Sequence, residues 1–139
     1  MEINPLGLVA ALTAFLSIWI GHVSVRKIEA ETVHLWKPML IAILLGVALE
    51  VAALFAANRP LAAVFGILGI TLLWDALEIK RQAKRVRKGH APANPANPRH
   101  AAMLTESGSH ATTLDLLNRD PLGRQVSAAE AVELLKHHR

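Results

Sequence analysis

The stretch from Gly66 to Gly89 constrains the fold of this chain more than any other part. It begins as a run of hydrocarbon side chains and ends with six lysines and arginines within nine residues, and no proline or glycine separates the two parts. An apolar helix that runs directly into a basic one is typical of a helix that leaves a membrane on its cytoplasmic side. This stretch therefore predicts a membrane boundary close to Leu77.

The apolar residues are concentrated in blocks rather than spread along the chain. Of the 139 residues, 53% are hydrophobic, and the three apolar blocks cover roughly residues 5–25, 38–57 and 60–77. A soluble domain would instead show amphipathic stripes. About 20 helical residues cross the ~30 Å hydrocarbon core of a bilayer. The sequence therefore predicts an all-α integral membrane protein with three transmembrane helices. No basic residue precedes the first block, so we expect a retained span rather than a signal peptide.

The distribution of basic residues predicts the orientation in the membrane. The connection from Arg26 to Lys37 carries three basic residues and the segment after the third span carries six, whereas Arg59 is the only one on the opposite side. Because cytoplasmic loops are enriched in lysine and arginine, we expect the N-terminus outside and the C-terminus inside, as a multi-pass protein of the bacterial cytoplasmic (inner) membrane. The tight turn at residues 58–59 makes spans two and three an antiparallel hairpin.

Three further segments are predicted after the spans. Residues 79–89 form a basic juxtamembrane helix that ends at Gly89. Residues 90–111 form a Pro/Asn-rich flexible linker, in which residues 91–100 are extended and similar to polyproline II. Residues 112–139 form a short helical tail, with helices at roughly 112–119 and 127–137. Such short helices are not stable alone, so they are expected to dock on each other, the membrane or a partner.

Glu50 is the strongest candidate for a functional group inside the membrane. It lies ~18 Å from the inner end of the second span by helix rise, where a carboxyl group is costly. It is either a neutral group that holds helices or protomers together, or a group that handles protons or cations. Thr13 on the first span lies at a matching depth and is its suggested hydrogen-bond partner. Ser17 belongs to the same small-residue face as Thr13.

His22 is the one histidine placed within a span, close to its inner end. Haem b held between helices needs two histidines, so a haem site would require one from each of two chains. Quinone contact is another alternative. An interfacial histidine bonded to backbone or water is the simplest interpretation.

Charged residues at the inner membrane surface form two further groups. A charged collar at the cytoplasmic face is expected from the first and third helices; ordinary interfacial pairing is the alternative. Its members are Arg26, Lys27, Glu29, Asp75 and Glu78. The basic run is expected to bind anionic lipid headgroups, because each such cation contributes ~1 kcal/mol. Its members are Lys80, Arg81, Lys84, Arg85, Arg87 and Lys88.

Several classes of function are not expected. The basic run lacks the aromatic residues that stack on nucleic acid bases, so nucleic-acid binding is not predicted. The chain has no cysteine, and its histidines show no metal-ligand spacing. No phosphate loop, nucleophile motif or pair of catalytic carboxylates is present. We therefore expect neither an enzyme nor a bound cofactor or metal.

The spacing of particular residues resembles a family of small three-span bacterial membrane proteins, domain of unknown function family 4491. The resemblance covers residues from about 6 to 98. Its strongest part runs from Trp74 to Pro95 without a gap, and it also includes a histidine with Lys-x-Glu after the first span and a Trp near a Pro before the second. The matching residues are His22, Lys27, Glu29, Trp36, Pro38, Trp74, Glu78, Gln82, Arg85, Val86, Lys88, Gly89, Pro92, Asn94 and Pro95. Val23 and His90 depart from the pattern, and Glu50 lies outside it. The resemblance implies the architecture and no activity.

The sequence thus favours a structural or accessory subunit, or a self-assembling one, with a cytoplasmic docking tail. A homo-oligomer or a larger membrane complex is expected, since three helices shield Glu50 poorly from lipid. A small oligomeric channel or transporter that uses Glu50 is the first alternative. A haem- or quinone-binding subunit that uses His22 is the second. Stoichiometry, partner and any transported species are not encoded in a recognisable pattern.

Overall fold

A computed structural model of the protein describes residues 4–115, which form four α-helices and no strand. The helices are α1 (Leu6–Glu31), α2 (Trp36–Phe55), α3 (Arg59–Arg87) and α4 (Pro98–Thr105). The first three are long and apolar enough to cross a membrane. The predicted all-α fold with three spanning helices is thus confirmed, whereas the orientation in the bilayer stays a prediction.

Helix α3 is the centre of the bundle, because α1 and α2 each pack against it. The turn before α3 is built by Asn58, whose side-chain Oδ1 accepts a hydrogen bond of 3.0 Å from the backbone N–H of Leu61. Pro60 occupies the first turn of the helix, where its missing N–H costs nothing. This short N-capped turn places α2 and α3 side by side, as the sequence predicts.

The predicted basic juxtamembrane helix is the last part of α3, which continues unbroken from the apolar span to Arg87. Gly89 ends it in the left-handed conformation, with φ of 73°. Its N–H donates to the Val86 carbonyl, and the His90 N–H donates to the Arg85 carbonyl. This is the Schellman pattern of helix termination, with Gly89 just beyond the C-cap residue Lys88.

Two connecting segments differ from the sequence-based expectation. The connection expected over residues 26–37 is mostly helical, because α1 continues to Glu31 and only residues 32–35 join it to α2. The linker expected over residues 90–111 contains α4, so residues 91–100 are not a continuous extended spacer. The reason is the same in both cases: residues 94–99 fold back and cap the end of α1. Residues 112–115 are not helical, and the rest of the predicted tail helices lies outside the described residues.

The buried apolar core of residues 4–115 lies at one end of the bundle, where α1 and α3 end and α2 begins. We call this the basic end; the expected topology places it in the cytoplasm. Each core side chain is at most 5% exposed: Val25, Ala76, Ile79, Val86 and Ala93. Along the spans, by contrast, large apolar side chains of α1 and α2 remain exposed. Those faces are therefore available to lipid or to another protein.

Candidate functional site

A network of polar side chains at the basic end joins α1 to the segment around α4. We call its members, Glu29, Asn94, Asn97, Arg99 and His100, the Glu29 clamp. The carboxylate Oε1 of Glu29 accepts from Arg99 Nη2 at 2.8 Å and lies 3.0 Å from His100 Nε2. Glu29 is 1% exposed and His100 is fully buried. A buried carboxylate requires such partners, because an unpaired buried charge is very costly.

The clamp also satisfies the last carbonyl groups of α1. Asn94 and Asn97 both donate from their side-chain amides to the carbonyl of Ala30, at 3.1 and 3.0 Å. Arg99 Nη2 donates to the carbonyl of Glu29 at 2.5 Å. The final carbonyls of a helix have no partner within it, and a cation near that end is favourable with the helix dipole. The clamp therefore explains why α1 extends beyond its apolar block.

The hydrogen bonds of His100 define its tautomer. Its Nδ1 accepts from the backbone N–H of Asn94 at 2.8 Å, so Nδ1 carries no proton. The proton of the neutral ring is then on Nε2, which donates to Glu29. The 2.9 Å approach of Arg99 Nη2 to His100 Nε2 is consequently a contact between two donors around one carboxylate oxygen. Glu29 and His100 are both buried, so their contact holds the segment around α4 against the end of α1.

Asn97 has two roles in the clamp that one substitution separates. Its Oδ1 caps α4 by accepting from the Arg99 N–H, and its Nδ2 donates to the carbonyls of Ala30 and Thr32. Asn97→Asp keeps the cap and loses both donors, so we expect the basic end to lose about 1–3 kcal/mol of stability. Hydrogen exchange of the α4 amides measures this loss.

Asn58 provides the matched control for Asn97, because its side chain is also an N-cap. The bond of Asn58 within residues 4–115 uses its oxygen as an acceptor from Leu61. Asn58→Asp keeps that acceptor and adds a negative charge at a helix N-terminus, which is favourable. We expect unchanged or higher stability. Equal losses for the two variants would contradict the proposed donor role of Asn97.

The expected charged collar does not form a single cluster. Glu29 belongs to the clamp, whereas Glu78 is buried and pairs with Arg81 at 2.9 Å and Arg85 at 3.2 Å within α3. Asp75 packs against Gly21 of α1, where an added Cβ would lie 2.6 Å from its Oδ2. The remaining two collar residues, Arg26 and Lys27, are exposed.

The basic run divides into two groups of different character. The arginines take part in ion pairs: Arg81 and Arg85 with Glu78, and Arg87 with Glu106 at 2.6 Å. Arg81 also lies over the ring of Trp74, 4.7 Å from its centroid. The lysines are exposed and have no ion-pair partner among residues 4–115. They recur every four residues, so they share one helix face: Lys80, Lys84 and Lys88. Headgroup binding by the run is thus expected chiefly from the lysines.

The polar residues of the first span do not gather around Glu50. The hydroxyl of Thr13 donates to the carbonyl of Val9 in its own helix, so the suggested bond between Thr13 and Glu50 is not formed. Ser17 is buried and lies 3.3 Å from the hydroxyl of Thr71 on α3. His22 is exposed. Ser17 is therefore a packing contact between α1 and α3.

Glu50 lies at the crossing of α2 and α3. Its side chain is half-buried, and a Cβ added to Gly69 would lie 2.8 Å from its Oε1. Gly69 is ten residues from Arg59, so the carboxyl group lies ~15 Å along α3 from the start of that helix. Within residues 4–115, the carboxyl group of Glu50 forms no hydrogen bond or ion pair.

Comparison with known protein families identifies the chain at the level of the family. Residues 4–97 match the family model described as Domain of unknown function (DUF4491). The chain belongs to this family. The resemblance predicted for residues 6–98 is thereby confirmed. No curated protein and no solved structure matches the chain.

The DUF4491 match ends at Asn97, two residues before the part of the clamp that sequence reasoning missed. Arg99 and His100 lie in the segment predicted as a linker, and no metal or catalytic spacing distinguishes them. A signal was present in the pair Asn97-Pro98, because an N-cap residue followed by proline is typical of a helix start. That signal predicts α4, although it does not reveal the ion pair with Glu29.

Proposed function

We propose that this DUF4491 protein is a structural or accessory subunit that assembles within the membrane, with itself or with a larger complex. The single observation that carries the proposal is the state of Glu50. Its carboxyl group lies inside a spanning helix and has no hydrogen-bond partner in the described part of the chain. Such groups in membrane helices pair with one another or with backbone carbonyls, because lipid offers no partner.

A neighbouring subunit supplies the missing partner in this proposal. The large side chains on α1 and α2 are exposed along the span, so a second protein surface can approach. Glu50 is half-buried rather than enclosed, which leaves its carboxyl group accessible to a donor or acceptor on another helix. A hydrogen bond between membrane helices contributes about 1 kcal/mol. The interface therefore also requires close packing of the exposed apolar faces.

The basic end is the proposed docking surface for cytoplasmic partners. The Glu29 clamp fixes residues 94–100 against α1 through several hydrogen bonds, and the buried core lies directly below it. A surface whose side chains are held by the fold binds partners at a lower entropic cost than a mobile one. In this proposal the spans place the docking surface at the membrane, and no chemical reaction is assigned to it.

Substitution of Glu50 tests the assembly. Glu50→Leu removes the hydrogen-bonding group, whereas Glu50→Gln keeps it without an ionisable proton. We expect the wild type and Glu50→Gln to appear as oligomers or with a co-purifying subunit in native mass spectrometry from mild detergent. The association constant of Glu50→Leu should fall about fivefold, in line with a bond worth ~1 kcal/mol. Monomeric wild-type protein without any partner would refute the proposal.

A proton- or cation-handling role for Glu50 is the second candidate, and the same carboxyl group favours it. Intramembrane carboxyl groups commonly mark ion pathways. Ion flux into liposomes separates the two roles, because conduction that uses the acid requires ionisation. If flux is present in the wild type and lost in Glu50→Gln while assembly is kept, Glu50 serves transport rather than assembly alone.

A further inference from the structure

A pocket of about 330 Å³ opens at the basic end beside the clamp. It lies between the last turns of α1, the basic part of α3 and the segment that follows α3. Residues of three kinds line it: apolar Val23 and Pro92, charged Arg26, Lys27 and Glu29, and the amide of Gln82. We propose that this pocket binds the phosphate group of an anionic phospholipid. The proposal does not depend on self-assembly through Glu50.

Gln82 provides the most specific indication of the ligand. The residue is only 7% exposed, and its Oε1 accepts from Arg85 Nη1 at 3.1 Å. The amide is oriented by this bond, because an arginine can only donate. Its Nε2 donors have no partner among residues 4–115. Protein atoms do not seal this Nε2 group, and Gln82 lines the pocket, so the amide is free to donate to a ligand that accepts hydrogen bonds.

The charges around the pocket select an anion. Arg26 and Lys27 are exposed and have no acidic partner in the described part of the chain. The single acid of the lining, Glu29, is neutralised by its ion pair with Arg99 at 2.8 Å. The lining therefore carries a net positive charge. A phosphate oxygen satisfies both the cations and the free amide donors, since charge-assisted hydrogen bonds are the stronger kind.

The location of the pocket favours a lipid over a soluble phosphate compound. Val23 is apolar and exposed, and it lies three and four residues before the two cations along α1. This spacing is ~5 Å along the helix axis, with the apolar residue on the membrane side. A phospholipid presents the same order, an acyl chain below its phosphate. Cation clusters at this level of a membrane helix commonly hold anionic headgroups.

Binding of short-chain phosphatidylglycerol to the purified full-length protein tests the proposal. We expect one lipid per chain in native mass spectrometry, and about 30-fold weaker binding for the double variant Arg26→Gln/Lys27→Gln. Lys37→Gln/Arg59→Gln is the matched control, because it removes the same charge from exposed residues that neither line the pocket nor belong to the basic run. This control should bind like the wild type. Equal weakening in both double variants would indicate surface attraction alone and overturn the proposal.

Two other ligands test whether the pocket requires both parts of a phospholipid, the phosphate group and the acyl chains. Glycerol phosphate carries the phosphate group without acyl chains, and diacylglycerol carries the acyl chains without a phosphate. We expect each to bind at least tenfold more weakly than phosphatidylglycerol. If either binds equally well, the assignment to a phospholipid phosphate is wrong. Gln82→Glu keeps the acceptor for Arg85 and replaces the free donors with an anionic oxygen, so it should also weaken phosphatidylglycerol binding; unchanged binding would exclude the amide.

Discussion

Glu29→Ala should destabilise the attachment of residues 94–105 by about 3–5 kcal/mol, the usual cost of removing one member of a buried ion pair. Arg99 is then left with its guanidinium group mostly buried, at 16% side-chain exposure. One of its nitrogens, Nη1, already lacks a partner among residues 4–115, so the site has no spare acceptor. His100, which is fully buried, loses the acceptor for its Nε2 proton as well.

Hydrogen exchange in detergent micelles measures this loss directly. Amide protons within the clamp report on it, because Asn94 donates to His100 and Asn97 donates to the carbonyl of Asn94. Their exchange should accelerate by about two to four orders of magnitude, since each 1.4 kcal/mol corresponds to a factor of ten. Exchange in the span of α2 should not change, because α2 is not part of the clamp.

Two acidic residues provide controls for Glu29→Ala. Glu31 is exposed and lies in the last turn of the same helix, so Glu31→Ala makes the same change in charge. Glu106 pairs with Arg87, with both side chains about half exposed, and such surface pairs contribute at most about 1 kcal/mol. If Glu29→Ala and Glu31→Ala accelerate exchange equally, the clamp is not what fixes this segment.

Removing both charges should cost less than the two single substitutions combined. In Glu29→Leu/Arg99→Leu, neither an unpaired carboxylate nor an unpaired guanidinium remains buried. Replacing a buried pair with apolar residues is often close to neutral. The carbonyl of Glu29 still loses the hydrogen bond from Arg99, so some loss persists. A double variant as unstable as the sum of the singles would show that the ion pair itself contributes little.

The parts of the fold that the sequence predicts are those that depend on local composition. The three spans follow from the lengths of the apolar blocks, because any segment that crosses lipid must be a helix long enough to span the hydrocarbon core. The end of α3 follows from Gly89, which supplies a conformation that other residues avoid. None of these requires knowledge of how distant segments meet.

The clamp was not predictable in the same way. Glu29 and Arg99 are separated by 70 positions in the chain, and no periodicity connects them. The prolines between α3 and α4 suggested an extended spacer, yet Asn94 and Asn97 turn the chain back onto α1. The depth of a residue in the membrane also does not suffice to predict its hydrogen-bond partner. It suggested a bond between Thr13 and Glu50, although a threonine in a helix readily bonds to the carbonyl four residues before it.

Gly46→Ala should move α2 away from α3. We expect the free energy of unfolding to fall by about 1–3 kcal/mol, because the added methyl group overpacks the contact between the two helices. A Cβ at this position would lie 2.8 Å from Leu73 Cγ and 2.9 Å from the backbone oxygen of Gly69. The leucine can change its rotamer, but the backbone oxygen moves only if the helix moves. Reversible unfolding in mixed micelles measures the loss of stability.

The other glycines of the bundle form a graded series of controls. A Cβ on Gly66 would lie 4.0 Å from the Cβ of Ala53 and meets no closer atom, so Gly66→Ala should be neutral or slightly stabilising through its higher helix propensity. Gly21→Ala is intermediate, because its close contacts are all with the flexible carboxyl group of Asp75. If Gly66→Ala is as harmful as Gly46→Ala, loss of flexibility rather than close packing explains both.

A disulfide between α2 and α3 gives an independent measure of their separation. The chain contains no cysteine, so Ala53→Cys/Gly66→Cys introduces a single possible bond. The 4.0 Å between the two Cβ positions lies within the range that a disulfide requires. It should form readily in the wild-type background and with Gly7→Ala, a position where an added Cβ meets nothing within 4 Å. Adding Gly46→Ala should slow formation of the disulfide, because a backbone shift of a few tenths of an ångström displaces both cysteines. An unchanged rate would mean that the helices accommodate the extra methyl group without moving apart.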